Sequence, residues 1–234
     1  MEVKQNYEEL LIRYTDIVIL IDFLSTGNLP LVDPSKWGDK NDVFFLKKYL
    51  ANLKSKKPHK KLFALCFTQQ FERSHFWEVF SKNNFGVAIE FKKKLILELA
   101  ENKGIKHANV KYKKINDLRS ESETSEDLAE NVTKNQLPFI KRWQFQDEKE
   151  YRLFYLKESN SEFKDEFLDF QVPIEAIHRI VFSPHLHKHH RRSLKEMIKR
   201  LPMVEKYEKE VGELKISKSR LYDNPHFQNA ISDN

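Results

Sequence analysis

Glycine is scarce in this chain, with five residues among 234. A loop that closes its backbone on a phosphate needs several glycines at fixed spacing. Neither G-x-x-x-x-G-K-[ST] nor G-x-G-x-x-G occurs, so a nucleotide loop of either type is excluded. Cysteine is scarcer still. With Cys66 alone there is no intrachain disulfide and no zinc site built on cysteine pairs, which fits a reducing compartment. Long apolar runs are also missing: Ile17 to Leu24 is interrupted by Asp22 and is too short to span a bilayer. The opening MEVKQNYEELL lacks the basic and apolar regions of a signal peptide. A soluble, cytoplasmic protein with no membrane partner is expected.

What is present is ample apolar material and mixed charge. Hydrophobic residues make up 40% and phenylalanine occurs 18 times, enough for a substantial core. Lysine and arginine total 41 against 35 acids, a net charge of +6, which permits a polyanionic partner without requiring one. The expected organisation is a single domain over residues 1–205 and a charged C-terminal extension over 206–234.

Arg13-Tyr14-Thr15 reads as the end of a strand. Asp16 to Ser25 has apolar residues at helical spacing, with Thr15 or Asp16 as N-cap and Gly27 as the stop. NLPLVDP reads as a short strand and Asp42 to Lys54 as a helix. Leu62 to Thr68 is a continuous apolar run, as in a strand buried on both faces. Phe71 to Phe80 reads as an aromatic helix, Gly86 to Phe91 as a strand, Lys93 to Glu101 as a helix and Ala108 to Tyr112 as a strand. Asp117 to Gln136 reads as a loop or surface helix. Strands are predicted at Glu150 to Leu156, Phe167 to Val172 and Ile177 to Phe182, and a basic helix from Arg191 to Leu201, ended by Pro202. Several strands lack a crossover helix, which favours an α+β fold with a largely antiparallel sheet.

The stretch KRWQFQDEKEYRLFYL, Lys141 to Leu156, carries the most chemistry. Glu148 and Glu150 stand two apart at the head of an alternating strand, which would place both on one face, roughly 6–7 Å apart. Read alone, D-E-K-E is more often a solvated strand entrance than a site. Arg152 shares that face and could neutralise Glu150. Arg13 could clamp a phosphate. Thr68 could point its hydroxyl into a cleft or cap the turn that follows. His185, His187, His189 and His190 border a basic helix, so a solvated or polyanion-facing surface is the commoner reading over a metal site. Asp147-x-Lys149 has the spacing of metal-dependent nucleases, but strand alternation would set it opposite the two glutamates.

Several of these pieces together, in order, resemble the bacterial family called domain of unknown function 2971. They are Arg13-Tyr14-Thr15, the amphipathic helix and Gly27-Asn28-Leu29, then Asn41-Asp42, Cys66-Phe67-Thr68, Trp77 with Gly86 to Phe91, Trp143 with Glu148-x-Glu150-x-Arg152, and Ile177 to Phe182. The resemblance spans about residues 7–200. It departs at Arg13, where the relatives usually have histidine.

That family is similar to the ADP-ribosyltransferase superfamily. The resemblance implies mixed, largely antiparallel sheets around a cleft for NAD, the substrate, with flanking helices and no metal. It implies catalytic roles for Glu150, on the ribose, and Glu148, on the acceptor. Arg13, Tyr14, Thr15, Thr68, Phe71 and Trp77 would bind NAD, Arg13 through ribose and phosphate and an aromatic such as Phe71, Phe76 or Trp77 by stacking on nicotinamide. Arg152 would then support the catalytic strand. The expected activity is transfer of ADP-ribose to protein, DNA or RNA, or hydrolysis of NAD, in a toxin or antiphage effector that could have a partner antitoxin. Two other readings remain: an inactive module of the same fold that binds nucleic acid through Lys54–Lys61 and His187–Lys199, and a metal-dependent nuclease.

Overall fold

The computed structural model describes residues 9–54, 56–70, 72–81, 84–114, 116, 134–225 and 228. In chain order the elements are β1 (Leu10–Asp16), α1 (Ile17–Thr26), β2 (Leu31–Val32), α2 (Lys40–Asn52), β3 (His59–Thr68), α3 (Ser74–Ser81), β4 (Gly86–Lys92), α4 (Lys93–Asn102), β5 (Lys106–Asn109), β6 (Lys111–Lys113), β7 (Ile140–Arg142), β8 (Glu150–Ser159), β9 (Phe167–Leu168), β10 (Ile177–Phe182), α5 (Lys188–Lys199), α6 (Pro202–Glu210) and β11 (Ile216–Lys218). Short 3₁₀ turns occupy Pro34–Lys36, Lys134–Phe139, Trp143–Glu148 and Ile174–Ala176. Strand pairing is antiparallel except for β10 with β11 and β6 with β7, so the fold is α+β and largely antiparallel.

The chain forms two compact units. The first comprises residues 1–28, 70–96 and 171–234, the second residues 29–69 and 97–170.

In the first unit the sheet order is β11-β10-β4-β1. Asp16 starts α1 because its carboxylate accepts the N–H groups of Val18 and Ile19 at 2.9 and 3.0 Å, satisfying two donors that have no carbonyl of their own. Gly27 stops it at φ 69°, a left-handed position open to glycine, and its N–H donates to the Phe23 carbonyl at 2.7 Å. Gly86 opens β4 where a Cβ would meet the Ser81 side chain at 2.4 Å, so the close approach of α3 depends on it. Ile12, Tyr14, Phe76, Trp77, Ala88 and Val181 form one core cluster.

In the second unit β8 is central. It pairs with β3 over ten residues, from His59 opposite Ser159 to Thr68 opposite Glu150, and with β5 on its other edge. β2 joins the far edge of β3, and β9 pairs with β2. Leu46, Tyr49, Leu62, Ala64 and Phe154 pack α2 onto this sheet.

Four expectations are corrected. The strand at Phe167 to Val172 is only Phe167–Leu168 plus an isolated bridge at Gln171, because Asp169 and Phe170 leave the ladder. Ala108 to Tyr112 is split at Val110, whose N–H turns to the Glu150 carbonyl at 2.9 Å. Pro202 does not merely end a helix; it occupies the first turn of α6, where its missing N–H costs nothing. The strand at Glu150 does not reach back to Glu148. Of the expected segment Asp117 to Gln136, residues 117–133 lie outside the described residues.

Candidate functional site

Lys149 sets the local geometry. Trp143–Glu148 is a 3₁₀ turn, and Lys149 closes it at φ 41° and ψ 53°, the one non-glycine residue at positive φ among the described residues. Such a conformation costs about 1 kcal/mol or more and persists where its surroundings fix it. Its N–H donates to the Gln146 carbonyl at 3.3 Å and its own carbonyl accepts from the Gln69 N–H at 3.0 Å. This turn delivers Glu148 beside Glu150 from outside the strand. The two acids therefore meet, but not through strand alternation, which is the correction to the i, i+2 expectation.

Glu150 is held on every side. Its N–H donates to the Tyr112 hydroxyl at 2.8 Å and its carbonyl accepts from Val110. Oε1 accepts from Arg152 Nε at 2.7 Å, and Oε2 from Lys141 Nζ at 3.1 Å. The same ammonium donates to Glu148 Oε2 at 2.6 Å. Tyr112 and Lys141 stand opposite each other on the parallel ribbon β6–β7, so one small element supplies both contacts. Behind Glu150, Arg152 is fully buried and forks onto Asp42, Nη1 to Oδ1 at 2.9 Å and Nη2 to Oδ2 at 2.7 Å, with Nη1 also on the Pro138 carbonyl at 2.8 Å. The Trp37 ring lies 5.2 Å from the guanidinium carbon. Thr68, opposite Glu150, donates its hydroxyl to the Glu148 carbonyl.

Three carboxylates, Asp42, Glu148 and Glu150, thus share two cations, Lys141 and Arg152. The imbalance is one negative charge, and it sorts the acids. Burial pushes the Glu150 carboxyl up, but the charges of Arg152 and Lys141, with hydrogen bonds from Arg152 and Cys66, outweigh it and hold the group at about 2. Glu148 goes the other way: burial raises it, the charges of Glu150 and Asp147 add to the rise, and Lys141 offsets only part. Asp42 is also raised, by burial foremost and by Glu150, against Arg152. The thiol of the partly buried Cys66 is lifted well above its usual range, by burial foremost and then by Glu150. One acid is fixed as an anion and its neighbour holds a proton more readily. Such a division suits a charge stabiliser beside a proton acceptor.

The second unit therefore gathers Thr68, Glu148 and Glu150. The first unit gathers Tyr14 and Trp77, ring centroids 4.9 Å apart and edge-on. Trp77 is 2% exposed and donates Nε1 to Glu72 Oε1 at 2.6 Å, and Phe76 is fully buried. Both are core rings; neither presents a stacking face. Thr15 is buried on β1, and Arg13 is half-buried opposite Ile89 of β4. Phe71 lies outside the described residues. Asp147 and Lys149 are exposed on the turn. Trp143 is exposed with Lys114 Nζ 4.7 Å above its ring, while Phe145 lies 5.0 Å from Lys141 Nζ.

Sequence reasoning missed Lys141 and Tyr112 and quoted Asp42 only as half of a dipeptide. A signal for Asp42 existed. It stands four and seven residues before Leu46 and Tyr49, on the apolar face of α2, and an acid there requires a buried cation.

No curated protein matches the chain. Among solved structures, Thermus sp. 2.9 DarT in complex with ADP-ribosylated ssDNA aligns with 91% of this chain and 94% of its own, at 10% identity and a TM-score of 0.41. A family model described as a protein of unknown function (DUF2971) matches residues 76–153, from α3 into β8. The likeness to domain of unknown function 2971, first read from short motifs, is thereby shown over that segment.

Proposed function

We propose that this chain is an ADP-ribosyltransferase-like enzyme that takes NAD as substrate, passing ADP-ribose to a macromolecular acceptor or to water, in the setting of a toxin or antiphage effector. The observation that carries the reading is the unequal pair: Glu150 fixed as a buried anion and Glu148 beside it with a raised proton affinity, both on Lys141. The donor set fits the nicotinamide ribose. The Glu150 oxygens accept from Arg152, Lys141 and Cys66, which leaves one of a carboxylate's roughly four acceptor positions for a ribose hydroxyl.

NAD supplies a ribosyl bond to a cationic leaving group, and breaking it builds positive charge on the ribose, as in glycoside hydrolysis. Glu150 stabilises that charge electrostatically without having to reorganise, since Arg152 and Lys141 already hold it. Glu148 accepts the proton of the incoming nucleophile. Arg152 and Asp42 fix the direction of Glu150. Thr68 holds the turn that carries Glu148.

The test is nicotinamide release from NAD, with protein, DNA and RNA acceptors offered in turn and with chelator present throughout. Wild type releases nicotinamide; Glu150→Gln loses at least about a hundredfold, the scale of one lost electrostatic contact in a transition state. Glu148→Gln loses transfer more than hydrolysis. No release with any acceptor, or release that ceases with chelator, sinks the proposal, the latter in favour of metal chemistry.

A further inference from the structure

Between Lys188 and Arg200 the chain carries six lysines and arginines against one glutamate, an excess of five where the whole chain has an excess of six. This stretch is α5 and its C-cap. At 100° per residue, Lys188, Arg192, Lys195 and Lys199 fall on one stripe within about 60° of each other, with Arg191 at its margin. The stripe runs along about 16 Å of helix. Its cations are available: Lys188, Arg191, Arg192 and Arg200 make no ion pair among the described residues, and Lys195 and Lys199 share only the exposed Glu213, at 3.7 and 3.2 Å. Pairs so exposed are worth little and yield to a better anion.

Flat rings stand at the head of this helix. His190 stacks on Phe85 at 5.8 Å and 27°, and His185 meets Tyr222 at 5.3 Å. Phe85 and Tyr222 are 42% and 57% exposed. His187 and His189 lie ring to ring at 5.3 Å. The first unit thus sets a cationic stripe beside solvent-facing aromatic surface. The opposite requirement, a free apolar helix face for insertion into a lipid surface, is not met, because Ile198 is fully buried on the body of the protein.

We infer that α5, with Phe85 and Tyr222, is a binding surface for single-stranded nucleic acid. Phosphates lie along Lys188, Arg192, Lys195 and Lys199, and bases stack on the rings at the helix head. Charge and stacking together make a sequence-tolerant single-strand site, whereas charge alone does not select unpaired bases. This surface is independent of the transferase reading and holds whether or not Glu150 is catalytic.

The experiment titrates the full chain into labelled oligodeoxythymidine, oligouridine and a duplex of mixed sequence over a range of salt, with acidic phospholipid vesicles as a separate arm. Four phosphate contacts give a salt slope of about −3 for a single strand. Replacing Lys188, Arg192, Lys195 and Lys199 by glutamine flattens the slope toward zero. Should that variant melt early by circular dichroism, Lys188→Gln with Arg192→Gln, both at exposed positions, reduces the slope by about 1.4. Phe85→Leu keeps the apolar bulk and the slope but weakens binding about tenfold. Preference between the two oligonucleotides tells whether DNA or RNA is the ligand. A slope shallower than about −1, no effect of the glutamine variants, tighter duplex than single-strand binding, or binding confined to the vesicles overturns the inference.

Discussion

Among the described residues each unit buries one glutamate on an antiparallel strand, and the two are held differently. In the first unit Glu90 of β4 is 4% exposed and meets Arg179 of the neighbouring β10 in a fork, Nε to Oε2 at 3.1 Å and Nη2 to Oε1 at 2.6 Å. Arg179 keeps part of its side chain in water. One acid meets one cation in that fork, and the geometry is that of a structural clasp between strands. In the second unit Glu150 is 6% exposed but divides its oxygens between Arg152 and Lys141, and both cations have a second acid to serve. In that cluster three acids divide two cations, and both Glu148 and Asp42 carry the shortfall as a raised proton affinity. Burial of a glutamate is therefore not what distinguishes a candidate site here; the stoichiometry of its counter-charges is.

The harshest way to break that comparison is to remove the central cation. Arg152→Met nearly keeps the volume but leaves Asp42 buried without its ion pair and Glu150 with Lys141 alone. Breaking a buried pair from one side costs about 3–5 kcal/mol. Denaturant unfolding at neutral pH should show a loss in that range, and a loss below about 1 kcal/mol would mean that Arg152 is not the hub of the cluster. The fully buried position of Arg152 gives the leftover acids no water to turn to.

Next in size is a contrast of sign between the two acids. Because the Glu150 carboxyl is held near 2, below its ordinary 4.5, its contribution to stability is present above the unfolded value and is lost as pH falls from about 4.5 to about 2. Glu150→Gln should destabilise at neutral pH and flatten the acid limb of the stability curve. Glu148, with a raised value, works in the opposite direction: its charged form costs stability at neutral pH, and protonation relieves the cost. Glu148→Gln should thus leave stability unchanged or raise it at neutral pH, and should steepen the acid limb. Urea titrations across that pH range decide the matter, and equal losses from both variants would show that the acids are not sorted.

Much of this arrangement was legible in the sequence, and the unread part has physical causes. Asp16 and Gly27 bracket α1 as their types require, since capping and left-handed closure are local. Thr68 and Glu150 were singled out from separate motifs and prove to be the terminal pair of the β3–β8 ladder. Lys149 was not legible as a left-handed residue, because neither its type nor its neighbours ask for positive φ; tertiary bonds to Gln69 impose it. Lys141 was invisible for a related reason. Its charge looks like surface until the ribbon β6–β7 folds it inward onto two acids, and the chain separation between Tyr112 and Lys141 hides that ribbon. Trp77 was read correctly as a helix residue but as a stacking ring; an indole that satisfies its N–H on Glu72 and packs on Tyr14 reads the same in a sequence.

The smallest expected effect tests the quieter side of the comparison. Glu90→Gln preserves shape and leaves Arg179, already partly in water, to complete its hydration. The cost should then be about 1 kcal/mol, the net worth of a partly exposed charged hydrogen bond rather than that of a stranded buried charge. Nicotinamide release, if Glu150 is its electrostatic centre, should not change, because a clasp between β4 and β10 contributes no charge to that step. A destabilisation as large as that of Arg152→Met would erase the distinction between clasp and cluster. A loss of activity without loss of stability would move the candidate chemistry toward Glu90, and stoichiometry of counter-charge would no longer serve to tell the two sites apart.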